Sequence, residues 1–308
     1  MGRAGAPARL TEVGKPADVA PALYRARMRH GLQICCGGPG VTAGLLVELG
    51  VAAERAGWDG VFFEDYLVYH RGQDPPTFDP WLLLATIAAR TSRVRLGTTV
   101  TGLPRRRPAK LARELLTLDH LCAGRATVAV GVGDPGDPGW AAFGEATDLR
   151  TRAAMLDEGL DVLLGLLAGE RMRHHGEHYR ADGVALRPAA VQAHRVPVWV
   201  GGSTQAKAVL RRAARADGIV PYKLTDTAGW ADFTPDEVHA LAAALPASRA
   251  DGAPFDVAIG GRRRRDDERA ERAYLHQVAQ AGATWWLEFV AAGEPDEMRA
   301  AVARGPLR

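Results

Sequence analysis

Cysteine, aromatic residues, net charge and long apolar runs are all scarce in this chain. Three cysteines (Cys35, Cys36 and Cys122) stand in 308 residues, two of them adjacent. Disulfide geometry disfavours bridging sequence neighbours, and no metal-ligand spacing is formed, so a disulfide framework is excluded and a reducing cytoplasm is the expected setting. A formal charge of +3 is too small to argue for nucleic acid as a partner. No apolar run reaches the ~18 residues that a membrane span requires. Residues 1–28 lack the apolar block of a signal peptide and are expected to form a loose leader. Residues 29–308 are then expected to form one domain, with insertions near 135–150 and 170–195.

What the chain does have is alternation. From Val94 to Thr98 an apolar run opens into a loop carrying Arg105, Arg106 and Arg107. Pro108 starts a helix with Leu111, Leu115, Leu118 and Leu121 on one face and Gly124 beyond its end. A second apolar run, Ala126 to Val130, breaks into Gly131-Val132-Gly133-Asp134. Such a strand-helix-strand unit joins parallel strands. Further buried-type runs begin at His30, Gly60, Val196, Asp217, Phe255 and Thr284, with helices between them. Thr42, Asp79-Pro80 and Thr234-Pro235-Asp236-Glu237 read as helix starts. Eight strands alternating with helices predict an α/β fold, a (β/α)8 TIM-type barrel with insertion segments. An open doubly wound sheet shows the same alternation and is the alternative.

In a barrel, every strand's C-terminal end opens on one rim, and the candidate site residues lie at those ends. Gly201-Gly202-Ser203, between a strand and a helix, offers backbone N–H groups and a hydroxyl to a phosphate, or is simply a capped turn. Gly131 and Gly133 permit close backbone approach, but Asp134-Pro135 follows, so this is no dinucleotide fingerprint. Asp65 ends an all-apolar strand, where it either accepts hydrogen bonds from a heterocycle or caps a local turn. Tyr66, His70 and Asp134 are the proton-transfer groups near the same rim. His120 reads as structural, and His174, His175 and His178 lack the carboxylate companions of a metal site. Arg262 to Arg265 read as a solvated loop, whereas Arg105 to Arg107 lie where they would attract an anionic cofactor or substrate. The Gly/Pro-rich segment Pro135–Glu145 is expected to be a lid or substrate loop. One of Trp285 and Trp286 should face the barrel interior and the other the helices.

Several stretches together carry a family resemblance: A-x-R-A-G-W-D-G-V-F-F-E-D (Ala53 to Asp65), R-V-R-L-G-T-T-V (Arg93 to Val100), L-D-H-L-x-x-G-R (Leu118 to Arg125), G-E-H-Y (Gly176 to Tyr179) and P-V-W-V-G-G (Pro197 to Gly202). The sequence resembles the bacterial-luciferase-like monooxygenases, the luciferase-like flavin-dependent oxidoreductases. The resemblance implies a TIM-type barrel that binds reduced FMN or the deazaflavin coenzyme F420 at its C-terminal mouth. It implies a bulge in the third strand, often with a non-prolyl cis peptide, at Thr99-Val100, with Thr101 beside it in the same cofactor-binding stretch. Asp65 is similar to the family's carboxylate after the second strand, and Gly201-Gly202-Ser203 to its phosphate-binding turn. Tyr66 stands where many members have a proton-transferring His, so Tyr66, His70 or Asp134 would have to serve. The leading expectation is an FMN-dependent monooxygenase acting with O₂ on a small organic substrate, supplied by a separate flavin reductase and forming a homodimer. The alternatives are an F420-dependent hydride-transfer enzyme and a ligand-binding barrel without redox chemistry.

Overall fold

The structure, a computed structural model, describes residues 27–69, 74–204, 206–223 and 230–308. His70 and almost all of the expected leader lie outside the described residues. In chain order the elements are β1 (Arg29–Ile34), α1 (Ala43–Arg55), β2 (Gly60–Asp65), α2 (Pro80–Ala88), β3 (Arg95–Gly102) and α3 (Pro108–Leu121). Next come β4 (Ala126–Gly131), α4 (Gly139–Ala142), α5 (Leu149–Leu167), β5 (Met172–His175), β6 (Arg180–Val184), β7 (Val198–Ser203) and α6 (Lys207–Ala213). The remainder is β8 (Gly218–Tyr222), α7 (Pro235–Ala243), β9 (Asp256–Arg262), α8 (Glu268–Gln280), β10 (Trp285–Val290) and α9 (Pro295–Ala303).

Eight parallel strands close a barrel in the order β1-β10-β9-β8-β7-β4-β3-β2, so each neighbour in the barrel is also the next barrel strand in the chain. The open-sheet alternative is thereby set aside. The expected insertion near 170–195 contains a separate antiparallel hairpin, β5 with β6. Local chemistry fixes the helix starts as predicted: Thr42 Oγ1 accepts from Leu45 N, Asp79 accepts from Trp81 N and Leu82 N, and Thr234 with Glu237 forms a reciprocal capping box. Among the described residues, no helix is long and apolar enough to cross a membrane.

The core has two parts. The outer layer lies between strands and helices and includes Trp286. The barrel interior is filled by Phe62, Ala129, Trp199, Ala258, Trp285 and Leu287, with the Phe62, Trp199 and Trp285 ring centroids 5.3–5.7 Å apart. Trp285 therefore faces inward and Trp286 outward, as strand alternation requires.

Two expectations need correction. Leu121 is exposed; the apolar face of α3 runs through Leu111, Leu115 and Leu118 to Cys122, which takes the core position four residues after Leu118. The Arg262–Arg265 run is not simply a solvated loop. Arg262 pairs with Asp232 and Glu271, Arg264 is buried against Glu288 and the Gly305 carbonyl, and Arg265 reaches Asp232. Counting charges along the chain could not reveal carboxylates brought in from distant elements.

Candidate active site

A cavity of about 500 Å³ opens at the C-terminal ends of the barrel strands, within the range of small-molecule sites. Its back wall comes from β3, β4 and β7. The register of β3 slips between Thr98 and Thr101 against β4, and β2 slips against β3 between Phe63 and Asp65. At this bulge the Thr99-Val100 peptide is cis, at the position the family resemblance implied. The bulge turns Val100 into the barrel, over Gly201 and Gly131. A methyl group at Gly201 would lie 2.4 Å from Val100 Cγ1, and one at Gly131 would lie 3.4 Å from Val100 Cγ2. Glycine at these positions is what lets the bulge lie flat against the neighbouring strands. Thr99 also faces the cavity, and its hydroxyl is buried without a hydrogen-bond partner among the described residues.

Asp65 lines the cavity, yet its carboxylate is engaged from behind. Oδ1 accepts from Arg106 Nη2 at 2.8 Å, while Oδ2 accepts from Thr101 Oγ1 at 2.7 Å and Trp81 Nε1 at 3.3 Å. Thr101 also bonds Thr98 at 2.9 Å. It is fully buried in the wall and does not line the cavity. Asp65 and Thr101 thus tie β2, β3 and the loop after β3 together beneath the bulge.

Tyr66 and Asp134 come from different strand ends and meet at the rim, where the Tyr66 hydroxyl donates to Asp134 Oδ2 at 3.3 Å. The other Asp134 oxygen accepts from Gly136 N at 2.8 Å, an Asx turn that fixes the carboxylate. Gly133, with φ +81°, brings this turn against Trp140: a methyl group there would lie 2.3 Å from Trp140 Cζ2. The segment expected to be a lid is pinned. Trp140 is buried, stacked by the Arg105 guanidinium at 4.1 Å and the Arg152 guanidinium at 4.4 Å, and its indole N–H donates to the Asp134 carbonyl. Arg105 also binds Asp137 and Glu145. Of the three arginines expected to attract an anion, Arg105 and Arg106 are therefore paired with carboxylates inside the chain, and Arg107 is exposed.

Gly133, Gly201 and Gly202 line the cavity as well, while Ser203 lies at the end of β7, outside the lining. The structure also brings in residues that sequence reasoning did not assign. Gln33 Nε2 donates to Glu64 Oε1 at 3.3 Å on the cavity wall. Tyr222 closes another side; burial and the Asp134 charge push its phenol above the ordinary value of 10.0, so it stays a protonated hydrogen-bond donor at neutral pH. Their strand-end positions were legible, but which side chains turn inward was not. The histidines of the hairpin gather elsewhere: Glu158 accepts from His174 Nε2 and from the backbone of Glu177, His178 and Tyr179, fastening the hairpin to α5. His120 bonds the Ala189 carbonyl from an exposed position.

Comparison with known proteins agrees with this geometry. The family profile described as luciferase-like monooxygenase matches residues 27–305. An F420-dependent glucose-6-phosphate dehydrogenase of Nakamurella multipartita is 37% identical over 199 residues, covering 59% of this chain and 55% of that one. The chain thus spans little more than half the length of that curated relative. Among solved structures, the coenzyme F420-dependent tetrahydromethanopterin reductase of Methanopyrus kandleri superposes with a TM-score of 0.65 at 15% identity, over 91% of this chain and 99% of that one. A monooxygenase from Streptomyces bottropensis superposes with a TM-score of 0.68 at 22% identity, over 89% and 96%. At such identities the structural likeness speaks for the fold alone.

Proposed function

This chain belongs to the luciferase-like monooxygenase family, and on that premise we propose that it is an oxidoreductase using coenzyme F420 to exchange a hydride with a small organic alcohol or carbonyl compound. The observation that carries the reading is the convergence on one cavity of the Thr99-Val100 bulge, the Gly131 and Gly201 wall and the Tyr66–Asp134 pair. F420 takes precedence over the reduced FMN expected first, because the most similar relative named above is F420-dependent by name.

The residues present fit a flat redox ring with polar edges. Val100, backed by Gly201 and Gly131, offers an apolar face to one side of such a ring, and the Thr99 hydroxyl has no partner among the described residues. When bound, F420 supplies the hydride acceptor or donor. The chain positions the reactants and handles the proton. In alcohol oxidation the Asp134 carboxylate would take the substrate's hydroxyl proton, the hydride acceptor being supplied by the bound coenzyme. Tyr66 holds the orientation of Asp134, and the protonated Tyr222 phenol donates to the substrate oxygen. Leu287, Ile259 and Phe289 limit water on the opposite side.

Among the described residues, the cavity wall carries Glu64, Asp65, Asp134, Asp137 and Arg105, the last paired with Asp137 and Glu145. A homodimer is part of the proposal, in keeping with the family resemblance; light scattering of the eluted protein tests it. A separate flavin reductase is required only if FMN is used.

Titrating the purified protein with F420 and, separately, with FMN tests the assignment. Saturable quenching of F420 fluorescence, with no FMN binding at the same concentration, is expected. Binding of FMN alone would return the reading to a flavin monooxygenase, and binding of neither would remove the redox function.

A further inference from the structure

At the opposite end of the barrel, a second cavity of about 480 Å³ is lined by Arg29, Arg93, Arg95, Arg125 and Arg308, with Asp59 as the one acidic lining residue among the described residues. The topology explains the concentration. Arg29 and Arg95 are the first residues of β1 and β3, Arg93 lies two residues before β3, Arg125 immediately precedes β4, and Arg308 is brought in by the C-terminal tail. Trp285, the first residue of β10, and Trp58 complete the lining.

The five guanidinium groups differ in how far they are satisfied. Arg125 is a structural brace: its nitrogens donate to the carbonyls of Cys122, Val94, Ala88 and Thr91 and to the Thr91 hydroxyl. Arg29 pairs with Asp256 and lies 4.3 Å over the Trp285 ring, and Arg308 pairs with Asp59 at 2.9 Å. Arg95 meets no carboxylate among the described residues. Its Nη1 donates to the Ala126 carbonyl, the Thr127 hydroxyl and the Gln192 amide oxygen, while Nε and Nη2 make no hydrogen bond within the described chain. Asp256, another acid at this end, is shared between Arg29 and Arg249 and also accepts from the Trp199 and Trp285 indoles, while the Glu54 carboxylate is held by the Ser92, Arg93 and Val94 amides. Burial, with the like charge of Arg29 nearby, pulls Arg95 down to about 10 from its ordinary 12.5, so it remains charged at neutral pH.

Five cations therefore face a recess whose own acids neutralise only part of them, and two nitrogens of Arg95 are left over. A guanidinium fork matches phosphate oxygens in a planar, bidentate way, and recessed walls strengthen the pairing. We infer that this recess at the N-terminal face is a binding site for a small phosphoryl-bearing anion, separate from the candidate active site, with Arg95 and Arg29 as its principal donors and Arg308 and Arg93 at its rim. The cavity volume is that of a site for a compact metabolite, and an occupant would stabilise the fold in proportion to its occupancy.

The test uses the full chain at fixed low ionic strength, titrated calorimetrically with inorganic pyrophosphate, with ADP and with sodium sulfate. Pyrophosphate should saturate below about 1 mM and raise the thermal midpoint; ADP binding of similar strength would identify a nucleotide as a source of the phosphoryl group. Arg95→Gln should weaken pyrophosphate roughly tenfold or more, the effect of losing a charge-assisted fork. Arg308→Gln should weaken it less, and Arg299→Gln, whose side chain pairs with Glu48 on the outer helices, should leave it unchanged. Urea denaturation of each variant identifies any that fails to fold, and Arg308→Gln then carries the test if Arg95→Gln is unstable. Absence of saturation by pyrophosphate, sulfate binding as tightly as pyrophosphate, or equal loss in Arg299→Gln would each overturn the inference.

Discussion

Replacing Asp65 with alanine separates two roles for this carboxylate, cofactor contact and structural brace. Its side chain is only 6% exposed, and it faces the Arg106 guanidinium, 23% exposed, at 2.8 Å. Removing one partner of a largely buried ion pair leaves Arg106 with the more distant Glu114 carboxylate at 3.8 Å, a loss of about 3–5 kcal/mol. The Trp81 indole and the Thr101 hydroxyl lose their acceptor as well. These terms overlap, so the expected total stays at about 3–5 kcal/mol, or roughly 10 °C in thermal midpoint for a chain of this size. Urea denaturation gives the free energy, and F420 titration of the folded variant at low temperature gives the affinity. The brace role predicts that stability falls by the full amount. It also predicts that Asp65→Leu combined with Arg106→Leu recovers a substantial part, because no charge is left unpaired. A loss below about 1 kcal/mol together with a greater than tenfold loss of F420 affinity would refute the brace and make Asp65 a direct ligand contact.

Three further outcomes are expected. Tyr66→Phe, which removes the donor to Asp134, should lower kcat roughly tenfold or more while leaving F420 affinity unchanged; an unaltered kcat would place proton handling elsewhere. Gly201→Ala sets a methyl 2.4 Å from Val100 Cγ1, so it should push the bulge into the cavity, costing about 1–3 kcal/mol of stability and weakening F420 in direct titration. His30 is 4% exposed, and burial, the largest influence, lowers it from 6.5 to about 4. The unfolded chain thus binds the extra proton first as pH falls. Stability from this residue is complete above pH 6.5 and is lost toward pH 4, by up to about 3 kcal/mol. Urea midpoints measured across that window should show a dependence that His30→Asn flattens.

The barrel was legible because each of its strands carries its own signal, a short apolar run closed by Gly, Pro or a polar residue, and because caps such as Thr42 and Thr234 act within four residues. The site was legible only as a set of strand ends. Whether Asp65 faces a ligand or a partner depends on Arg106 and Trp81, which the local pattern does not couple to it. Glu64 was hidden by the same limit, since a one-residue register slip at the β2–β3 pairing decides which side chain turns inward. The arginine network of Arg262 and Arg264 depends on Asp232, Glu271 and Glu288, which lie up to 30 residues along the chain from the arginine they pair with. Pairings over such separations leave no trace in composition.

The stacked rings of Phe62, Trp199 and Trp285 turn the middle of the barrel into a bulkhead. Neither solvent nor a small solute can travel along the axis from the arginine-lined end to the end that carries the candidate active site, so whatever occupies one must arrive and leave by its own door. Any influence of one occupant on the other has to be mechanical, carried by small displacements of strands that both ends share. Trp285, which lines the lower recess and touches the rings beneath the upper one, is the side chain whose fluorescence would register such a movement first.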